Sequence, residues 1–259
     1  MCGIAGLWQR DGRPVEASEL QRMADIQRHR GPDGEGFWHG GTIGLAHRRL
    51  KIIDMSERAR QPMATPDGRL VLVFNGEIHN YLELRAELET RGVRFQSTSD
   101  TEVALWSYRE WGAACFEKFN GMWAMAFWDA DRESLVLSRD RFGLKPLYYS
   151  VAGPRIAFAS EAKAIAEVFP EERRACAREL RGFLHGGYPD CGEATFFANI
   201  RQVAPGHLLV AGSRGEERVK YWSFQPGRED PRDDAEEKFR WLLGDAVRLR
   251  MRSDVPVGV

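Results

Sequence analysis

The feature that most constrains the fold is a close succession of short apolar runs in the middle of the chain. Met122-Trp123-Ala124-Met125-Ala126-Phe127-Trp128, Leu135-Val136-Leu137, Leu147-Tyr148-Tyr149 and Ile156-Ala157-Phe158 follow one another, with Asp, Gly and Pro in the connections between them. Each run is rich in β-prone residues and is bounded by residues that turn the chain. The spacing predicts antiparallel strands joined as a meander. Further strands are expected over residues 4–8, 42–46 and 70–74, the last ending in Asn75-Gly76, and over Leu208-Leu209-Val210 after the Ala204-Pro205-Gly206 turn. So many strands require a large sheet system.

Helical patterns cluster between these strands. A short helix is expected over 17–27 within a glycine-rich, charged connection. Another starts at Asn80, where Glu83 three residues on completes a capping-box pattern, with Tyr81, Leu84 and Leu88 on one face up to Gly92. Helices over 101–111 and 161–168 complete an α+β pattern. Organisation changes near Gln225, where residues 226–234 are polar and breaker-rich and read as a linker. This gives a domain over 2–225, a linker over 226–234 and a new segment over 235–259. In that segment Phe239, Leu242, Leu243, Ala246 and Val247 fall at helical spacing. Asp254-Val255-Pro256-Val257-Gly258-Val259 reads as a buried strand without continuation, so the sequence is expected to be cut from a longer parent.

With 259 residues, 43% of them hydrophobic, the chain is large enough for one substantial core. Its 37 basic and 38 acidic residues leave a net charge of −1, which lacks the electrostatic footprint of a nucleic-acid or anionic-membrane binder. Cys2, Cys115, Cys176 and Cys191 show no metal-ligand spacing, so no metal is expected. No apolar run approaches the ~20 residues of a membrane span, and no signal peptide precedes Cys2. Free thiols and a cytoplasmic location are the expectation.

Position 2 carries unusual chemistry. Loss of Met1, favoured by a small following residue, would leave a thiol and a free α-amine on Cys2. An α-amine titrates near ~8, against ~10.4 for lysine, so it can accept a thiol proton at neutral pH. Elsewhere, Arg49 at the end of an expected strand suits a carboxylate held bidentately, or is a surface arginine. Asn75-Gly76 offers an amide donor beside an open backbone N–H, which makes an oxyanion hole, or is a plain turn. Asp100 opens a helix as an N-cap, or accepts an ammonium. The basic clusters Arg28-His29-Arg30 and His47-Arg48-Arg49 have no interleaved aromatics, which argues against nucleic acid. Together, Cys2, Arg49, Asn75, Gly76 and Asp100 would fit a ligand with an α-amino-acid head and an amide tail.

At this point the chain resembles the N-terminal glutaminase domain of glutamine-hydrolysing asparagine synthetases, class II amidotransferases of the N-terminal-nucleophile (Ntn) hydrolase superfamily. The resemblance runs in order through Met1-Cys2-Gly3-Ile4-Ala5-Gly6, Arg28-His29-Arg30-Gly31-Pro32-Asp33-Gly34, His47-Arg48-Arg49-Leu50-Lys51-Ile52-Ile53-Asp54, Phe74-Asn75-Gly76-Glu77 and Ser99-Asp100-Thr101-Glu102. It continues through Asn120-Gly121-Met122-Trp123-Ala124, Arg139-Asp140-Arg141-Phe142-Gly143-Leu144-Lys145-Pro146, Ala159-Ser160-Glu161-Ala162-Lys163 and Pro205-Gly206-His207. It implies a four-layer αββα sandwich of two mainly antiparallel sheets, followed by a short fragment that starts an ATP-dependent α/β synthetase domain. It further implies Cys2 as nucleophile and Asn75 with Gly76 as oxyanion hole. Arg49 is implied for the glutamine α-carboxylate, Asp100 and Glu77 for its α-ammonium, and Leu50, Ile52 and Ile53 as pocket lining.

The partners implied are L-glutamine, a synthetase domain in the same parent chain and a second copy in a possible homodimer, without nucleic acid or membrane. No cofactor is implied for glutamine hydrolysis; ATP and Mg belong to the synthetase half. The chain departs from the family at His79, where tyrosine is usual, and Val259 precedes the family's pyrophosphate loop. Two rival readings remain: the glutaminase half of an amidotransferase acting on a sugar or other metabolite, and a non-catalytic glutamine-binding module.

Overall fold

The computed structural model describes residues 1–187, 192–226 and 234–258. In chain order its elements are β1 (Gly3–Gln9), α1 (Ala17–Asp25), β2 (Gly34–His39), β3 (Ile43–Arg49), β4 (Met63–Ala64), β5 (Leu70–Ile78), α2 (Tyr81–Thr90), α3 (Asp100–Trp111) and α4 (Cys115–Lys118). They continue with β6 (Gly121–Asp129), β7 (Ser134–Arg139), β8 (Tyr148–Ala152), β9 (Arg155–Ala159), α5 (Ala162–Val168), α6 (Ala177–Gly186), β10 (Arg201–Gln202), β11 (His207–Gly212), β12 (Gly215–Lys220) and α7 (Ala235–Arg250). Two six-stranded sheets result, ordered β10-β8-β9-β1-β3-β2 and β12-β11-β7-β6-β5-β4, and every strand pairing is antiparallel.

Both sheets are covered on both faces, which explains why their strands read as continuous apolar runs rather than alternating ones. Ile4, Trp8, Ile43 and Leu45 of the first sheet pack against Val71, Val73, Ala124 and Leu137 of the second. On its other face the first sheet turns Ala5 and Leu7 to Leu20 and Met23 of α1 and Ile165 of α5. The second sheet turns Leu72 and Phe74 to Leu84 and Leu88 of α2 and Val103 of α3. The layers are therefore αββα. Gly6 is needed for space: a Cβ there would lie 2.3 Å from the Phe158 ring on the neighbouring β9.

Four expectations change. The expected meander is two hairpins in different sheets, β6–β7 in one and β8–β9 in the other. Between them the Asp140 carboxylate accepts from the amides of Phe142, Leu144 and Lys145, while Arg139 donates to the carbonyls of Gly143 and Lys145, and this compact knot redirects the chain. Asn75-Gly76 is not a turn, because β5 runs through it to Ile78 in register with β6. The Asn80 side chain does not cap α2; it accepts from Asn120 N and donates to Lys118 O. Finally, no strand forms over 254–258. That segment reaches the 50–54 loop instead, as Asp254 N donates to Ile52 O. The expected linker falls mostly at 227–233, and Cys191 lies in 188–191; both stretches are outside the described residues.

Candidate active site

Cys2 sits immediately before β1, held by contacts of its carbonyl and sulfur and of the neighbouring strand, among them a thiol contact to Leu50 O at 3.5 Å. Arg30 Nε donates to the Cys2 carbonyl at 2.9 Å, and Ile4 N donates to Ser160 Oγ at 3.0 Å, fixing the start of the strand. The Cys2 sulfur accepts from Leu50 N at 3.3 Å. Burial pushes the thiol up from its ordinary pKa, and the Leu50 N–H opposes that by stabilising the thiolate. The amino terminus, here on Met1, lies in the same pocket, and burial lowers its pKa. The Met1 side chain is itself exposed.

The pocket wall opposite is the edge of β5. The partner β4 pairs only with Val71 and Leu72, so the edge beyond them is uncovered. Backbone groups on that edge recur every second residue. Phe74 N donates to Gln61 Oε1 at 2.6 Å, and Ile78 N donates to Asp100 Oδ2 at 3.0 Å. The Gly76 N–H lies between these two on the same edge and faces the pocket. Next to it the side-chain nitrogen of Asn75 is buried without a hydrogen-bond partner. A residue larger than glycine cannot stand at 76, where a Cβ would lie 2.1 Å from Met122 O of β6. His47 ties this edge to the first sheet, its Nε2–H donating to Phe74 O at 3.1 Å. Burial depresses its pKa to about 3, so the ring is neutral.

A third wall is the loop after β3. Arg49 turns back onto it, donating from Nη1 to Ser56 O at 2.9 Å and from Nη2 to Asp54 O. Asp54 is left-handed, with φ 53°, a conformation that costs a residue bearing a Cβ about 1–2 kcal/mol. Its carboxylate accepts from Ser56 N and Thr98 N, at 2.9 and 2.8 Å, so its surroundings impose the strain. Leu50, Ile52 and Ile53 of this loop line the pocket.

Asp100 is the first residue of α3, not its cap. Ser99 caps, accepting from Thr101 N at 3.1 Å, which leaves the Asp100 carboxylate for the pocket. Burial pushes the Asp100 carboxyl up to about 7, and the Glu77 carboxylate adds to the rise, against the Ile78 N–H that lowers it. Burial also raises Glu77, which Lys145 opposes. His79 Nδ1 lies 3.9 Å from Glu77, but burial lowers its pKa to about 4, so this is not a charge pair at neutral pH.

Thus Cys2, Arg49, Leu50, Ile52, Ile53, Asn75, Gly76, Glu77 and Asp100 share one pocket. Sequence reasoning did not single out Lys145, a buried cation in the same pocket, nor Gln61 and Arg30, which hold its walls. Nothing local in the sequence marks Lys145, whose place is set by the Arg139–Lys145 turn, with its amide fixed on Asp140 at 2.9 Å. Most residues of the basic clusters are engaged within the protein. Arg48 pairs with Asp25 and Glu35, and Glu161 takes both His29 and Arg30.

Residues 1–222 match the glutamine amidotransferase domain family, and the chain belongs to that family. It is 37% identical over 264 residues to asparagine synthetase [glutamine-hydrolyzing] 3 of Bacillus subtilis (strain 168), covering 99% of this chain and 42% of that protein. It is also 34% identical over 277 residues to amidase chry2 of Gibberella zeae, covering 100% of this chain and 40% of that protein. The chain therefore spans about two-fifths of the length of these relatives. Among solved structures, glutamine phosphoribosylpyrophosphate amidotransferase from B. subtilis superposes with a TM-score of 0.65 at 20% identity, covering 88% of this chain and 50% of that one, and so shares its Ntn-hydrolase fold. Among the described residues no helix is long and apolar enough to cross a membrane.

Proposed function

We propose that Cys2, once Met1 is removed, hydrolyses the side-chain amide of L-glutamine. The observation that carries this reading is the buried, unpartnered Asn75 Nδ2 beside the Gly76 N–H on the open edge of β5. An amide nitrogen with no partner among the described residues, beside a backbone N–H on a strand edge that β4 leaves open, is what a developing oxyanion needs.

The α-amine takes the thiol proton, and the Cys2 sulfur bonds to the δ-carbon. The carbonyl oxygen becomes an oxyanion held by Asn75 and Gly76. As the intermediate collapses, the carbon–nitrogen bond breaks, the amine returns the proton to the leaving nitrogen, and ammonia departs, leaving a thioester. Water then attacks the thioester carbonyl, which releases glutamate and restores the thiol. The second hydrogens on the Arg49 Nη atoms serve the substrate α-carboxylate, while Asp100 and Glu77 take its ammonium. The glutaminase step as proposed draws on no cofactor.

Residues 235–258 are assigned to the start of a following synthetase domain, which would consume the ammonia with ATP and Mg. In support, the family match stops at 222, and α7 leaves Phe239, Trp241, Leu242 and Val247 exposed on an amphipathic helix. Similarity to glutamine-hydrolysing asparagine synthetases favours aspartate as the acceptor, in a cytoplasmic protein. Replacing Cys2 by Ala tests the nucleophile: glutamate release should fall to background. Undiminished release would remove Cys2 from the mechanism.

A further inference from the structure

The segment after α7 reaches back to the pocket. Asp254 forms a bracket on the 50–54 loop: its backbone N–H donates to Ile52 O at 3.0 Å, and its Oδ2 accepts from Asp54 N at 2.7 Å. The bracket spans the peptide units on either side of Ile53, which lines the pocket. Two residues earlier, Arg252 Nη1 donates to His79 O at 2.6 Å, and the guanidinium holds both oxygens of Glu83 on α2 at 2.6 Å. Arg252 thus grips the chain just past the end of β5, and Asp254 grips the wall facing it. Ser253 fixes the turn between them, its Oγ accepting from Val255 N at 3.2 Å.

The loop needs such a grip. It belongs to no helix or strand, and it ends in the left-handed Asp54, whose carbonyl and carboxylate are already held by Arg49, Ser56 and Thr98. The Asp54 amide is the remaining backbone polar group of that residue, and it is bound by Asp254. Because Leu50 N also donates to the Cys2 sulfur, the loop touches the nucleophile at one end and the bracket at the other.

We propose that Asp254 and Arg252 are positioning residues for the glutamine pocket, holding the 50–54 wall at its distance from the β5 edge. Residues outside the family-matched stretch thereby set how well that stretch binds its substrate. This rests on the glutaminase reading above. Loosening the wall weakens ground-state binding while the nucleophile and oxyanion donors stay in place, so KM should change and kcat should not.

The test compares the wild-type chain with Asp254→Ala, Asp254→Asn and Arg252→Ala. Glutamine turnover is measured together with the rate at which iodoacetamide alkylates Cys2. Asp254→Ala should raise KM about tenfold, with kcat and alkylation within about twofold of wild type. Asp254→Asn should recover most of the loss, since its amide oxygen can still accept from Asp54 N. Arg252→Ala should raise KM in the same direction, and it carries the test if Asp254→Ala does not fold. If wild type turns over glutamine but these variants leave KM within about twofold, the proposal is wrong. It is equally wrong if kcat and alkylation fall as KM rises, or if asparagine at 254 is no better than alanine, because the segment is then only structural. Absence of turnover in wild type would instead defeat the glutaminase reading.

Discussion

A buried amide nitrogen without a partner costs stability, and Asn75 Nδ2 is such a group within a strand paired along its length to β6. Its presence makes sense if a transition state supplies the partner. Asn75→Ala should then lower kcat by about 10²–10³, the effect of losing one oxyanion donor, with KM little changed in steady-state assays. A loss below tenfold would make it a packing residue. Asp100 carries a pH-dependent prediction. Its carboxyl sits at about 7 because burial disfavours the charge. An incoming ammonium favours the ionised form, so binding should release a proton below pH 7. Calorimetry at about pH 6.5 in buffers of different ionisation enthalpy, on Cys2→Ala protein that cannot turn over, should show this release, and Asp100→Asn should abolish it. The sign for stability is the reverse. Between its ordinary value of 3.8 and about 7 the folded state holds a proton that the unfolded state has lost, so this group's contribution falls as pH rises through that window. Urea midpoints of Asp100→Asn should fall less over that range than those of wild type.

Among elements, β5 decides most of the site. It pairs along nine residues with β6, leaves its other edge open beyond Leu72, and needs glycine at 76 for the ladder to close. Gly76→Ala must push the strands apart and should destabilise the chain by about 1–3 kcal/mol in urea unfolding, along with activity. A change within about 0.5 kcal/mol would show that the close approach is not as drawn. The same strand shows the limits of reading locally. Its apolar run was legible, but Asn75-Gly76 was also a turn signal, and only the remote register with β6 overrules it. Asp100 looked like a cap because a helix begins there; the preceding Ser99 does the capping instead, which depends on backbone geometry. Strands with a continuous apolar run were visible, whereas β12, a polar strand beside β11 at the sheet edge among the described residues, and β2, interrupted by glycine, were not. That the nine expected residues share a pocket was legible for two reasons: Cys2, Arg49, Asn75, Gly76 and Asp100 stand out by residue type, and Leu50, Ile52, Ile53 and Glu77 came with the family resemblance. Lys145 was not, because its place depends on how Asp140 folds the turn before it.

For the whole molecule, the facing of the two sheets brings Cys2 from one to Asn75 on the other. Trp8 and Trp128 meet across that interface edge to face, with ring centroids 5.1 Å apart. Trp8→Ala should cost about 3–5 kcal/mol by urea denaturation, because both sheets lose a contact. A cost below about 1 kcal/mol would mean that the sheets hold together elsewhere. The most direct measurement for the glutaminase assignment is to mix the protein with glutamine, quench in acid during turnover and map covalent adducts by peptide mass spectrometry. The assignment predicts a glutamyl thioester on a first peptide that begins at Cys2, with Met1 gone. Turnover without an adduct on residue 2, or by protein that still carries Met1, would contradict it.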